Sequence, residues 1–516
     1  MKKSHFSILL LLAIWILPLA ANSQSATSAH PLRFRIRVQT GNSTPVSGRL
    51  IVFLAPGKSP RELGPGFGPT AQQVWFAAKE VLRLKDNEAI DFDPDDLAYP
   101  QPLSHAPAGD YHAMALLDER HIYAYDPYSG IPPGILHSPV VVIEHLNPAD
   151  TSPVELVLKE RAAEQPTSTP SSSELLDFTS PVLSDFWGRP VHIRGYVLLP
   201  PEYGSNRRRY PAVYVTQGFG GTMDSIAKYV VPRYRRFLQE KELPEMIYIF
   251  LDQSCPEGTH EFADSVNDGP WGKALTEELI PYLESKYRMD GNPAGRFLTG
   301  HSSGGWTSLW LMVKYPKVFG GSWATSPDPP DFRNFTGPNL RANPPVNFYR
   351  NQDGSPRMLV RMNGKEVMTL EDFVRQERVL GDYGGQFASF EWVFSPRGDD
   401  GRPQPLFDRD TGVIDAKVAN AWERYDIAEL LRQNASTLRT LLQGKIHVTV
   451  GTADEFHLDQ PVRLLESTMK ELNIKASFDY LEGRTHFDLY EGGLEAKIAN
   501  EMQRVARPAS ATRKPR

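Results

Sequence analysis

A single cysteine, Cys255, occurs in 516 residues. No internal disulfide can form, and cysteine-rich metal or disulfide scaffolds are excluded. A lone cysteine of this kind is ordinarily buried and inert. Positive charge is also in short supply: 56 Lys and Arg face 62 Asp and Glu, a net charge of −6. A chain that neutralises phosphates needs a basic face, so no nucleic-acid partner is expected. Arg207-Arg208-Arg209 reads as a solvated loop. No His-Glu-x-x-His or Cys/His cluster suggests a catalytic metal, and no Gly-Lys-Ser/Thr closes a phosphate loop. Asp408-Arg409-Asp410-Thr411-Gly412 with Asp415 faintly resembles a calcium loop, but the ligand spacing is incomplete and a turn is the reading. No cofactor is therefore expected.

Long apolar runs are scarce too. The stretch from Phe6 to Ala20 falls short of the about 20 residues a membrane span needs. Met1-Lys2-Lys3 precedes it and Ala21-Asn22-Ser23 follows it, the pattern of a secretion signal over residues 1–23. No cysteine follows the run, so a lipid-anchored cysteine is excluded. The expectation is a secreted or periplasmic protein with no membrane attachment after cleavage.

What is present is the composition of a globular protein, 40 % hydrophobic and 23 % charged. At roughly 150 residues per domain, this length predicts two or three units. Residues 32–160 read as an all-β, sandwich-like domain: LRFRIRV, GRLIVFL, GDYHAMALLD, SPVVVIEHL and VELVLKE run at strand length between Gly, Pro and Asn. A Pro/Ser/Thr linker follows over 161–174. From 175 to 505 strand-like HIRGYVLLP, YPAVYVTQ, EMIYIFLD, GRFLTG, GGSWATS, KIHVTVG and ASFDYLEG alternate with helical stretches. That rhythm predicts an α/β fold, a mostly parallel sheet with helices on both faces. Residues 329–443 break the rhythm and read as a lid-like insertion, closed by one helix, AKVANAWERYDIAELLRQN. The tail 506–516 reads as frayed.

The chemistry centres on FLTGHSSGGW. Gly300-His301-Ser302-Ser303-Gly304 fits a nucleophile elbow, in which glycines two before and two after the serine let strand and helix approach. Ser302 has both glycines; Ser303 does not. The Ser303 N–H opens the helix, where donors are unpaired and a negative oxygen is favoured. A serine hydroxyl needs a base. Three histidines follow: His447 lies within a strand, and His457 sits beside the candidate acid. His486 follows the last strand at the carboxyl edge of the sheet. His486 is the expected base, and Asp454, after the penultimate strand, the expected acid; Glu455 and Asp328 are the alternatives. Gln217-Gly218-Phe219-Gly220-Gly221 supplies a second oxyanion donor, the Phe219 N–H, beside that of Ser303. Trp271 is a candidate for lining an acyl or sugar pocket, with core or lid packing the competing assignment.

Together with RPVHIRGYVLLPPEY, RRYPAVYVTQGFGG and NDGPWGKALTEELIPYLESKYR, these motifs resemble the esterase family of the α/β-hydrolase superfamily. It includes esterase D-like, feruloyl and acetyl xylan esterases, S-formylglutathione hydrolase, enterochelin-esterase-like enzymes and mycolyltransferases. The resemblance runs from about 175 to 505 and leaves out the all-β region. It implies an α/β-hydrolase fold and a secreted serine esterase working through an acyl-enzyme. It also implies a triad of Ser302, Asp454 and His486, with oxyanion donors at Phe219 and Ser303. Many relatives have His-Gly where this chain has Gln217-Gly218, so Gln217 joins Trp271 as a candidate substrate-binding residue. The expected partner is a small-molecule or carbohydrate-linked ester, or a siderophore-type ester. Acyl transfer, peptide cleavage, or a non-catalytic binding protein with a degenerate hydrolase domain are the alternatives.

Overall fold

The computed structural model describes residues 32–57, 74–119, 131, 134–150, 152–163, 170, 173–381 and 385–508. The expected signal segment 1–23, much of the linker and the tail from 509 lie outside the described residues. Among the described residues, no helix is long and apolar enough to cross a membrane.

The larger sheet has eight strands: β1 (Ser173–Thr179), β2 (His192–Leu198), β3 (Ala212–Thr216), β4 (Ile247–Leu251), β5 (Arg296–His301), β6 (Gly321–Thr325), β7 (Ile446–Gly451) and β8 (Ser477–Leu481). Their spatial order is 1-2-4-3-5-6-7-8. β1 and β2 pair antiparallel, as do β2 and β4. From β4 to β8 every pairing is parallel. β3 and β4, AVYVT and IYIFL, are buried at every position, because helices cover both faces of a parallel sheet. Alternate residues go to opposite sides. Tyr214, Ile249 and Leu298 join a core with the helices around 274–283 and 303–313, while Val213, Val215, Tyr248 and Phe250 join one with Ile226, Leu238, Ile498 and Met502. β1 begins at Ser173, inside the stretch read from sequence as linker; its SELLDFT pattern is mostly exposed, as an edge strand's is.

Residues 34–161 carry two further sheets. Three strands, Phe34–Val38, Ala89–Phe92 and Val154–Leu158, form one, and the other centres on Val46–Pro56, Trp75–Leu84 and Gly109–Asp118. Trp75–Leu84 was not among the strands read from sequence. Val46–Pro56 is buried on both faces: Leu50, Val52 and Leu54 meet Phe34 and Ile36 of the small sheet, whereas Ile51, Phe53 and Ala55 belong to the core that includes Leu370 and Val374.

Those last two residues lie in the long segment between β6 and β7. Three helices are used below: α1 (Ser303–Lys314), after β5, and α2 (Leu370–Leu380) and α3 (Gln386–Phe394) within the segment. A hairpin, Met358–Met362 with Lys365–Thr369, precedes α2. The single helix expected at 416–434 is broken. Ala416–Trp422 ends, and Asp426 caps a new helix, Ile427–Gln433, by accepting from the Glu429 N–H at 3.1 Å. The same carboxylate accepts from the Phe332 N–H at 3.2 Å, so tertiary contact overrides helical periodicity. Aromatic packing roots the segment on α1: Trp306 stacks on Trp310 at 5.3 Å and meets Phe394 at 5.1 Å. Arg49 of strand Val46–Pro56 donates to the carbonyls of Val379 (2.9 Å) and Arg378 (2.9 Å) at the end of α2.

Candidate active site

β5 ends at His301 and α1 begins at Ser303. Ser302 alone makes the turn, at φ 58° and ψ −124°, a conformation costly for a residue with a side chain. Three hydrogen bonds hold it there: its N–H donates to the Thr325 carbonyl at 3.0 Å, and its own carbonyl accepts from Trp306 (3.0 Å) and Asp328 (3.1 Å). Closeness explains the flanking glycines. A Cβ on Gly304 would stand 2.5 Å from the Thr216 carbonyl oxygen and 2.6 Å from that of Gln217. Gly304→Ala is therefore expected to lower unfolding stability by about 1–3 kcal/mol, read from urea midpoints.

The loop after β3 leans on this turn. A Cβ on Gly218 would lie 3.2 Å from the Ser302 Cβ, and Phe219 is the next residue. Gln217 contributes backbone: its carbonyl accepts from Gln253 Nε2 at 2.8 Å, and its side chain packs on Gly221. Ser303 is fully buried, and its hydroxyl donates to Asp328 Oδ2 at 2.5 Å.

His486 and Asp454 come together from the ends of β8 and β7. His486 Nδ1 lies 2.9 Å from Asp454 Oδ2, and Asp454 is wholly buried. Burial alone would raise the Asp454 carboxyl. The charge and hydrogen bond of His486, with the Phe456 N–H donating at 3.0 Å, outweigh it and hold the group below its ordinary value. Burial likewise pushes the His486 imidazolium down, but the Asp454 charge and hydrogen bond raise it above its ordinary value. Phe456 stands edge-on to the ring at 4.9 Å. Glu455, the alternative acid, binds backbone instead: Oε2 accepts from the His486 N–H at 2.6 Å.

His301, next to Ser302 in the chain, has its ring centroid 4.4 Å from that of His486. The Ser302 hydroxyl, however, has its hydrogen bond to Asp328 Oδ1, at 3.5 Å. Asp328 thus meets both serines, and it also accepts from Gln386 Nε2 of α3 at 3.3 Å. Burial pushes its carboxyl up. The sequence names it only as an alternative acid, because nothing local joins it to its partners in the turn and in α3. Arg361 was missed altogether. From the hairpin it donates to the Asp454 carbonyl at 2.8 Å, and its own N–H to that of Glu455 at 2.9 Å, bracing the loop that carries Asp454.

Trp271 lies apart from this group. Its ring stacks on His260 at 3.6 Å, and it lines a cavity whose walls include neither Ser302 nor His486. The Asp408 carboxylate is spent within its own turn on the Thr411 N–H and hydroxyl, both at 2.7 Å. Asp415 caps the helix at 416–422.

A family model described as "Putative esterase" matches residues 188–497. Uncharacterized protein YbbA of Bacillus subtilis (strain 168) is 29 % identical over 133 residues, 24 % of this chain and 51 % of that one. Esterase Rv1288 of Mycobacterium tuberculosis (strain ATCC 25618 / H37Rv) is 30 % identical over 125 residues, 23 % of this chain and 25 % of that one. The chain thus spans about half, or less, of the length of these curated relatives. Among solved structures, a ferulic acid esterase aligns with TM-score 0.41 and 16 % identity over 66 % of this chain and 100 % of its own. An S-formylglutathione hydrolase from Agrobacterium tumefaciens aligns with TM-score 0.39 and 15 % identity, over 65 % and 94 %.

Proposed function

Because this chain belongs to the family described as "Putative esterase", we propose that it is a serine hydrolase of carboxylic esters, exported from the cell. Ser302 attacks the ester carbonyl after its hydroxyl turns about the Cα–Cβ bond from Asp328 to His486 Nε2. His486 takes the proton and hands it to the leaving alcohol. Asp454, bound to Nδ1, keeps the free lone pair on Nε2 and stabilises the imidazolium. The N–H groups of Phe219 and Ser303 receive the oxyanion, the second from the first turn of α1, whose leading N–H donors have no intrahelical acceptor. Water, deprotonated by His486, then attacks the acyl-enzyme, releasing the acid and regenerating Ser302. In this reading residues 32–160 form a β-sandwich domain and residues 329–443 a lid over the carboxyl edge of the sheet. The substrate class it favours is a small or carbohydrate-linked ester.

One observation carries the reading: a buried carboxylate–imidazole pair at 2.9 Å, whose imidazole lies 4.4 Å, ring to ring, from His301, the residue before a serine held at positive φ. Such a backbone strain is maintained where function needs it. The test is covalent labelling. A fluorophosphonate should attach to Ser302, located by peptide mass spectrometry, and p-nitrophenyl acetate turnover should fall in step with labelling. Labelling at another serine, or turnover that survives complete labelling, would overturn the assignment.

A further inference from the structure

The ester mechanism leaves one fully buried acid unused. Glu261, in the loop after β4, has no solvent exposure. It sits at φ 53°, and Phe262 after it at φ 45°. Two successive residues with side chains in the left-handed region are costly, and such strain persists only where the surroundings impose it. The loop's own hydrogen bonds do so. The His260 N–H donates to the Gln253 carbonyl at 3.0 Å, the Glu261 N–H to the Thr259 hydroxyl at 3.3 Å, and the Phe262 N–H to His260 Nδ1 at 3.2 Å. The result is that Glu261 Oε2 lies 3.0 Å from the hydroxyl of Thr307, in α1.

Counting hydrogens along this contact gives it a direction. Gln253 Nε2 donates to the Gln217 carbonyl at 2.8 Å. That fixes the amide, because the reverse orientation would set two carbonyl oxygens against each other. Gln253 Oε1 therefore faces Thr307, at 3.1 Å, and can only accept. The one hydroxyl hydrogen of Thr307 goes to it. An ionised Glu261 would then meet the Thr307 oxygen at 3.0 Å with no hydrogen between them. As the neutral acid it donates to that oxygen, and each contact has its hydrogen. Glu261 Oε1 has no hydrogen-bond partner, which costs a buried carboxylate far more than a neutral acid. Burial, and after it the Asp328 charge, push this carboxyl well above its ordinary value. Gln253 is 1 % exposed and Thr307 not at all, so bulk water does not compete. We propose that Glu261 is a positioning residue, a protonated carboxyl that pins the Gln217 carbonyl through Thr307 and Gln253 and so fixes the Phe219 N–H at the nucleophile. What the pinned loop does rests on the ester reading; the order of the hydrogens rests on the contacts alone.

The test compares the full chain with Glu261→Gln, Glu261→Leu and Thr307→Val. Two quantities are read: kcat for p-nitrophenyl acetate, and amide hydrogen exchange in the peptide that contains Gln217–Gly221, which needs no ester chemistry. Glutamine keeps an N–H where the acid has its O–H and cannot ionise, so Glu261→Gln should retain the parent's kcat and exchange. Glu261→Leu and Thr307→Val should lower kcat about 10–100-fold, with KM little changed, and speed exchange in that peptide. Should Glu261→Leu fail to fold, Thr307→Val decides, since it swaps a hydroxyl for a methyl of the same shape. A loss in Glu261→Gln as large as in Glu261→Leu would mean an ionised acceptor and overturn the inference. Parent-like exchange in Thr307→Val would overturn it as well. A parent inert towards esters would refute the role given to Ser302, while the exchange measurement would still decide this one.

Discussion

Ser302→Ala is expected to reduce p-nitrophenyl acetate turnover by about 10⁴–10⁶-fold while leaving the far-ultraviolet spectrum and the urea midpoint near those of the parent. Removing the nucleophile removes the acyl-enzyme path, and what survives is rate enhancement from oxyanion donors and substrate positioning alone. The change is mild for the fold. Alanine loses one hydroxyl, whose single hydrogen bond to Asp328 is long, at 3.5 Å, and the backbone bonds of the turn are untouched. His486→Ala should cost a similar factor without additivity in the double variant, because serine and imidazole act as one unit. Full activity in either single variant would end the proposed mechanism.

The second large effect separates the two carboxylates at the site. Asp454→Asn should lower kcat about 10⁴-fold, since an amide at 2.9 Å from His486 Nδ1 no longer selects the tautomer with a free Nε2. Asp328→Asn should change kcat by less than about tenfold, because an amide can still bind Ser303 and Gln386. The pH profile carries the sign. His486 must be neutral to accept a proton, and Asp454 raises its pKa above the usual 6.5. In the parent, kcat/KM should therefore fall as pH drops through an inflection above 6.5. Both substitutions remove a negative charge that stabilises the imidazolium, so both move that acid limb to lower pH, Asp454→Asn further. An unchanged limb in Asp454→Asn together with a collapsed kcat in Asp328→Asn would exchange the roles of the two residues.

The local signals were readable where one short segment dictates them. The glycine pair around Ser302 foretold a close approach because no Cβ fits against the Thr216 and Gln217 carbonyls, and that constraint is written within five residues. The parallel strands were visible as unbroken apolar runs. What the sequence withheld depends on tertiary contact. Asp328 looked remote because nothing local joins it to Ser302, Ser303 and Gln386. Arg361 carries no motif, and its role as a brace exists only once the hairpin packs on the loop that carries Asp454. The edge strand Ser173–Thr179 follows Pro- and Ser-rich residues, and its exposed pattern hides the pairing with β2. The helix at 416–434 was read as continuous because the capping by Asp426 is reinforced by Phe332, far away in the chain.

The guanidinium of Arg49 bears on how this protein can be shortened. It clasps the last carbonyls of α2, and the Glu377 carboxylate of α2 in turn caps α3 through the Phe387 N–H at 3.2 Å. α3 delivers Gln386 to Asp328, which also accepts from Ser302. Cutting away the first third of the chain to obtain a minimal catalyst would unseat this relay and bare the apolar flank formed by Leu370 and Val374. Such a truncate is expected to precipitate rather than turn over ester, so the amino-terminal strands belong in any smaller version that is built.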